Sequence, residues 1–219
     1  MNKPRAEVDK GLRTGLFRSL TGLRGADVSG NPGGDIKGML LAVGGSSKRT
    51  KSGIDLTAAA NRLGVSRRTV ERWVRNAETG RGQRPNPVHA KQLAALARKT
   101  VSTKAGRRRI AKMITDRLAD SRVKVTLYGV QGPSDPGTQF NALGYPESET
   151  LKPRLRASYV ILPPEDVSSM VSSWVQGGEK GFRDWAEQQC DGPGRDVNYL
   201  EGWKIFDLHD VDITSEGPQ

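Results

Sequence analysis

The sequence predicts an α+β protein in which a helical half with a helix-turn-helix precedes a small mixed α/β C-terminal domain. Three observations predict this. Apolar residues recur at helical spacing between about residues 51 and 121, whereas short alternating runs follow residue 122. The charge divides at nearly the same place: residues 1–125 hold 28 Lys and Arg against 9 Asp and Glu, a net of +19, and residues 126–219 hold 7 against 15, a net of −8. The 26 glycines and 12 prolines in 219 residues gather between the periodic segments, which leaves a modest core for a chain that is 35% hydrophobic.

The elements follow in order. Residues 1–50 are rich in Gly, Ser and Arg, and residues 1–34 read as a flexible basic Gly-rich arm, ending in Val28-Ser-Gly-Asn-Pro-Gly-Gly34, where glycine and proline break helix and strand alike. A helical domain over 35–121 starts with a short helix, Asp35 to Val43, stopped by Gly44-Gly-Ser-Ser47. Asp55 to Leu63 is an alanine-rich helix ended by Gly64, and Ser66 to Asn76 is a second. Asn86-Pro87 opens a third, with Asn as N-cap and Pro at the first helical position, and Leu93, Leu96 and Ala97 form its apolar face. Ile110, Met113, Ile114 and Leu118 place a fourth helix that runs to about Ala119.

Residues 122–219 read as an acidic α+β domain. Val123 to Tyr128 and Ala157 to Leu162 alternate as strands, with the loop Gln131-Gly-Pro-Ser-Asp-Pro-Gly-Thr138 between them. Pro163-Pro-Glu165 opens a helix carrying Val167, Met170, Val171 and Trp174. A further helix includes Phe182, Trp185 and Ala186, and Trp203 to Ile213 supplies a last strand.

Composition excludes several classes. The chain is too short for a polymerase, a modular synthase or a large motor. Its longest apolar run is five residues, Met39 to Val43, too short for a transmembrane helix. Lys3, Arg5, Lys10, Arg13 and Arg18 precede no apolar run, so no secretory signal is expected. The single cysteine, Cys190, excludes an internal disulfide framework and a cysteine-built zinc site, and reads as a cytoplasmic thiol. No Gly-x-x-x-x-Gly-Lys-Ser/Thr loop is present, and neither the catalytic domain of a serine recombinase nor the Arg and His set of a tyrosine recombinase is found. His89 and His209 lie far apart. A polar strand end accounts for Asp207, His209, Asp210 and Asp212, so no metal site is assigned. A half-chain at +19 calls for a polyanion. Its basic residues sit among Gly, Ser and Ala rather than opposite a large apolar face, which favours nucleic acid over membrane. The expected location is the cytoplasm, in association with the nucleoid.

The segment Leu56 to Arg75 carries the strongest motif. Ala60 is small enough for two helix axes to approach, Gly64 suits a turn that needs positive φ, and Val65 is expected to bury in the elbow. Ser66 caps the second helix, and Val70 and Trp73 face inward. A plain helical hairpin is the competing reading of the same pattern. Arg67, Arg68, Thr69, Arg72 and Arg75 are then left outward. A recognition helix puts its N-terminal residues on base edges, so Arg67, Arg68 and Arg72 are the expected base readers, and Ser66, Thr69 and Arg75 the expected phosphate contacts. Arg107, Arg108 and Arg109, with Lys104 and Lys112, form a second basic cluster. It reads either as further DNA-backbone contacts or as a solvated helix face.

A wider order of features surrounds the motif. A short helix precedes Ala60 to Arg72, and basic helices follow. Then come a strand ending Leu127-Tyr128-Gly129, the loop Pro136-Gly-Thr138, and Leu162-Pro-Pro-Glu165 opening a helix. This order resembles the telomere-protecting terminal proteins of linear Streptomyces replicons over roughly residues 35–190, with an extended N-terminal arm and a tail after about 190 as departures. The resemblance implies a protein that caps the 5′ ends of linear DNA, stays covalently attached and primes synthesis through a side-chain hydroxyl. The chain would be the nucleotide acceptor, and the polymerase would supply catalysis and its Mg ions, so no cofactor of its own is implied. The implied acceptor is Thr138, with Ser134 as the second choice; turn stabilisation is the simpler role for both. The implied partners are linear replicon ends, a DNA polymerase and telomere-complex proteins. The alternative is a sequence-specific regulator or plasmid maintenance protein that forms a homodimer through its C-terminal domain.

Overall fold

A computed structural model of the chain describes residues 5–133, 154–190 and 203–216. Among them are seven helices and one small antiparallel sheet, the α+β class the sequence predicts. The chain divides into two units, residues 17–109 and residues 1–16 with 110–219. The cut after residue 109 falls within the helix Lys104–Leu118.

The largest departure is at the N-terminus, where an arm was expected. Residues Arg5–Thr21 form a helix, α1. Leu12, Leu16, Phe17 and Leu20 are all buried on it, which a flexible arm would not allow. Their spacing of four, one and three follows a helical face. The intervening Arg and Gly residues dilute that signal.

In the unit 17–109, the loop after α1 is tied by Asp27, whose carboxylate accepts from the Ser29 and Asp35 backbone N–H groups. Helix α2, Ile36–Gly44, follows and buries Met39, Leu40, Ala42 and Val43. It packs on the next three helices and so forms the hub of the unit. Those are α3 (Leu56–Leu63), α4 (Arg67–Thr79) and α5 (Pro87–Ser102). Each begins at the polar residue its sequence supplies. Asp55 accepts from Ala58 N, Ser66 from Thr69 N and Asn86 from His89 N, which satisfies N–H groups that a helix cannot pair internally. Helix α6, Lys104–Leu118, begins in this unit and crosses into the other, with Ile114 and Leu118 buried.

The second unit is built on the sheet, in the order β2–β1–β3. Strand β1 is Arg122–Pro133, β2 is Arg154–Leu162 and β3 is Trp203–Glu216. Val123, Val125 and Leu127 of β1, Val160 and Leu162 of β2, and Ile205, Leu208, Val211 and Ile213 of β3 are buried, the alternation expected of a sheet covered on one face. Helix α7, Val167–Cys190, packs against β2 and β3 and buries Met170, Trp174, Phe182 and Trp185. A break at Gly178 (φ 62°) divides it into the two helical segments the sequence suggests. Register shifts against β1 leave His209 and Phe206 as the extra residues of β3.

Strand β1 also corrects the expected loop Gln131 to Thr138. Gln131, Gly132 and Pro133 are strand residues paired to β3, and Gln131 is fully buried. Its amide donates to Leu127 O at 3.1 Å and Arg156 O at 3.0 Å and accepts from Ser158 Oγ at 2.7 Å. Those bonds satisfy a side chain whose burial would otherwise be unfavourable.

Candidate nucleic-acid interface

Helices α3 and α4 are joined by three residues. Gly64 adopts φ 66°, ψ 29°, and the turn is closed by Val65 N donating to Ala60 O at 3.1 Å. An L side chain rarely adopts that backbone, so glycine there is a conformational requirement. Ala59 and Ala60 are buried as the close approach of helices requires, while Val65 is only half-buried rather than sealed in the elbow. Gln92 of α5 donates its amide to Leu63 O at 3.1 Å, so α5 supports the end of α3.

Helix α4 has two sharply different faces. Val70, Trp73 and Val74 are at most 5% exposed, and Trp73 lies 5.5 Å from the His89 ring. Arg67, Arg68, Arg72 and Arg75 are exposed and, with Glu71, line one shallow depression. Their side-chain states differ. Arg67 Nε donates to Glu71 Oε1 at 3.0 Å. Thr69 is half-buried, and its hydroxyl lies 2.9 Å from that of Ser66. The sequence places all six together, and the structure separates two locally paired hydroxyls from four projecting guanidinium groups.

The second basic cluster divides. Arg107 is buried at 7% exposure and donates to Val101 O at 2.7 Å, in the last turn of α5. A cation there offsets the negative end of the helix and occupies a carbonyl without an intrahelical partner. Arg107 is therefore unsuited to the phosphate contact the sequence suggests. Arg108 is exposed, and Arg109 Nη2 donates to Thr100 Oγ1 at 3.3 Å. Arg62, missed by the sequence reading, donates to Val43 O at the end of α2. Partial burial, then the like charge of Arg109, pull its guanidinium below the usual range, while Asp55 opposes them.

The segment after α4 was also missed. Asn76 donates its amide to Gly80 O at 3.3 Å and Gly82 O at 3.1 Å, and accepts from Arg84 Nε at 3.3 Å. The sequence signal is Gly80-Arg-Gly-Gln-Arg-Pro85, in which two glycines punctuate two exposed arginines.

Ser134 and Thr138 lie outside the described residues. On β3, His209 Nε2 lies 3.1 Å from Asp207 Oδ2, while Asp210 and Asp212 stand opposite Tyr128 and Thr126. Among the described residues no group of three or more His, Cys, Asp and Glu side chains is placed to hold a metal ion. No helix among them is long and apolar enough to cross a membrane. No protein-family model, curated protein or solved structure matches the chain.

Proposed function

We propose that the chain binds double-stranded DNA sequence-specifically through a helix-turn-helix formed by α3, the Gly64 turn and α4. The observation that carries this reading is the division of α4, with Val70, Trp73 and Val74 buried on one side and four exposed arginines on the other. Set into a major groove, the N-terminal half of α4 brings Arg68 and Arg72 to base edges, where arginine pairs bidentately with guanine. Arg67 reaches a base only by exchanging Glu71 for it, so it contributes less. Arg75 and Arg108 meet phosphates, and Ser66 and Thr69 serve chiefly to start α4.

The test begins with a duplex selected by the full-length chain from a random pool, followed by fluorescence anisotropy. Arg68→Ala and Arg72→Ala are each expected to cost ~1–3 kcal/mol on that duplex, with a smaller loss on unselected DNA. Unchanged affinity in both variants would remove the assignment.

For the biological setting we propose the role implied by the resemblance, capping and priming at the ends of linear replicons. The Thr138 hydroxyl, or Ser134 in its place, would attack the α-phosphate of a deoxynucleotide. An oxygen–phosphorus bond forms and pyrophosphate leaves, while the polymerase holds the metal ions and takes the proton. What supports this is the order of sequence features alone. Incubation with labelled deoxynucleotide, a polymerase and a linear-end template should leave SDS-stable label on the chain. Thr138→Ala should abolish the label and spare DNA binding. Absence of label on the unaltered chain would favour the regulator or plasmid maintenance reading.

A further inference from the structure

Resting on the DNA-binding reading, we propose that the segment Gly80–Pro85 is a second DNA contact, with Arg81 reaching into the minor groove beside the major groove occupied by α4. Helix α4 has 13 residues and is about 20 Å long, whereas a major groove is about 12 Å wide. The segment leaving its end therefore arrives at the sugar-phosphate wall. It does not continue away from the helix. Gly80 (φ 69°) and Gly82 (φ 108°) turn it back, and Asn76 holds both of their carbonyls. A Cβ on Gly82 would stand 3.2 Å from the Arg72 carbonyl oxygen and 3.7 Å from Asn76 N, so the segment runs back along the C-terminal turns of α4.

Arg81 is exposed at the tip of this turn, between two residues without side chains. A minor groove is about 6 Å wide, and such a tip enters it without flanking bulk. Arginine is the cation suited to that place, because A·T-rich minor grooves are narrow and concentrate negative potential. Arg84 has its Nε on Asn76 Oδ1 at 3.3 Å, which keeps its side chain beside the end of α4, where we assign it to phosphate rather than to bases. Asn76 is a positioning residue. It touches no DNA and fixes the direction of both arginines.

The experiment uses the full chain and the selected duplex with its flanking A·T pairs replaced by G·C or by I·C. Guanine places an N2 amine in the minor groove, and inosine does not, although G·C and I·C look alike from the major groove. The unaltered chain is expected to bind the G·C flank roughly tenfold more weakly than the A·T or I·C flank. Arg81→Ala should bind all three equally. Arg84→Ala should keep the discrimination and lower the salt slope by about one. Asn76→Ala should weaken the discrimination without abolishing binding. A chain that ignores the flank, or an Arg81→Ala variant that still rejects G·C, would overturn the minor-groove assignment while leaving α4 in place. Loss of the α4 reading itself has a separate signature, full affinity in both Arg68→Ala and Arg72→Ala.

Discussion

Arg107 and Arg108 are adjacent in sequence and opposite in fate. One guanidinium is buried on the last turn of α5 and the other is exposed. Arg107→Ala leaves the Val101 carbonyl without that donor and opens a space where the side chain was. It should lower stability by ~1–3 kcal/mol in chemical denaturation, with the folded protein binding DNA at an unchanged salt slope. Arg108→Ala should do the reverse, leaving the denaturation midpoint in place and lowering the slope of log K against log salt by about one. Ser66 gives a third case at this scale. Its hydroxyl holds Thr69 N at 3.1 Å, so Ser66→Ala should cost ~1 kcal/mol in stability. Ser66→Asp should restore the cap but weaken DNA binding by repelling phosphate.

At the scale of elements, the helices with a polar cap and a clear stop were legible in the sequence. Asp55, Ser66 and Asn86 each start the helix expected of them, and Gly45, Gly64 and Gly80 each follow one. Helix α1 was not legible as an element, because four basic residues and two glycines lie among its few large apolar ones. Packing supplies what its composition lacks. Phe17 is 1% exposed, so Phe17→Ala should destabilise the protein by ~3–5 kcal/mol, measured by urea denaturation. A flexible arm would tolerate that change at almost no cost. Strand β1 likewise outlasts its alternating run, because pairing to β3 extends it through Gly132 and Pro133.

On the whole-molecule scale the charge is the dominant property, with +19 on residues 1–125 and −8 on the rest. Binding to duplex DNA should weaken steeply with salt, with a log–log slope on the order of −5, set by the phosphates that the exposed arginines and lysines meet. A titration from low to moderate salt measures it, and a flat response would mean that the basic half does not approach the backbone. The acidic half faces solvent in part through β3, where Asp212 and His209 are exposed. It adds little to that slope.

The sequence by itself determined the α+β class, the capped helices and the charge division, because caps, glycine stops, residue period and net charge act over a few neighbouring residues or depend on composition alone. Only the tertiary structure decided which basic residues remain outward. Arg107 is buried against Val101, a partner set by how the helices pack, and the exposed Arg62 and Arg109 are bonded to Val43 and Thr100, while Arg68 and Arg72 project from α4. It also decided that α1 is a packed helix and that Gln131 is a buried strand residue. The physical reason is the same in each case. Whether a marginal helix, a buried amide or a buried guanidinium is stable depends on groups distant in sequence that cover it and complete its hydrogen bonds.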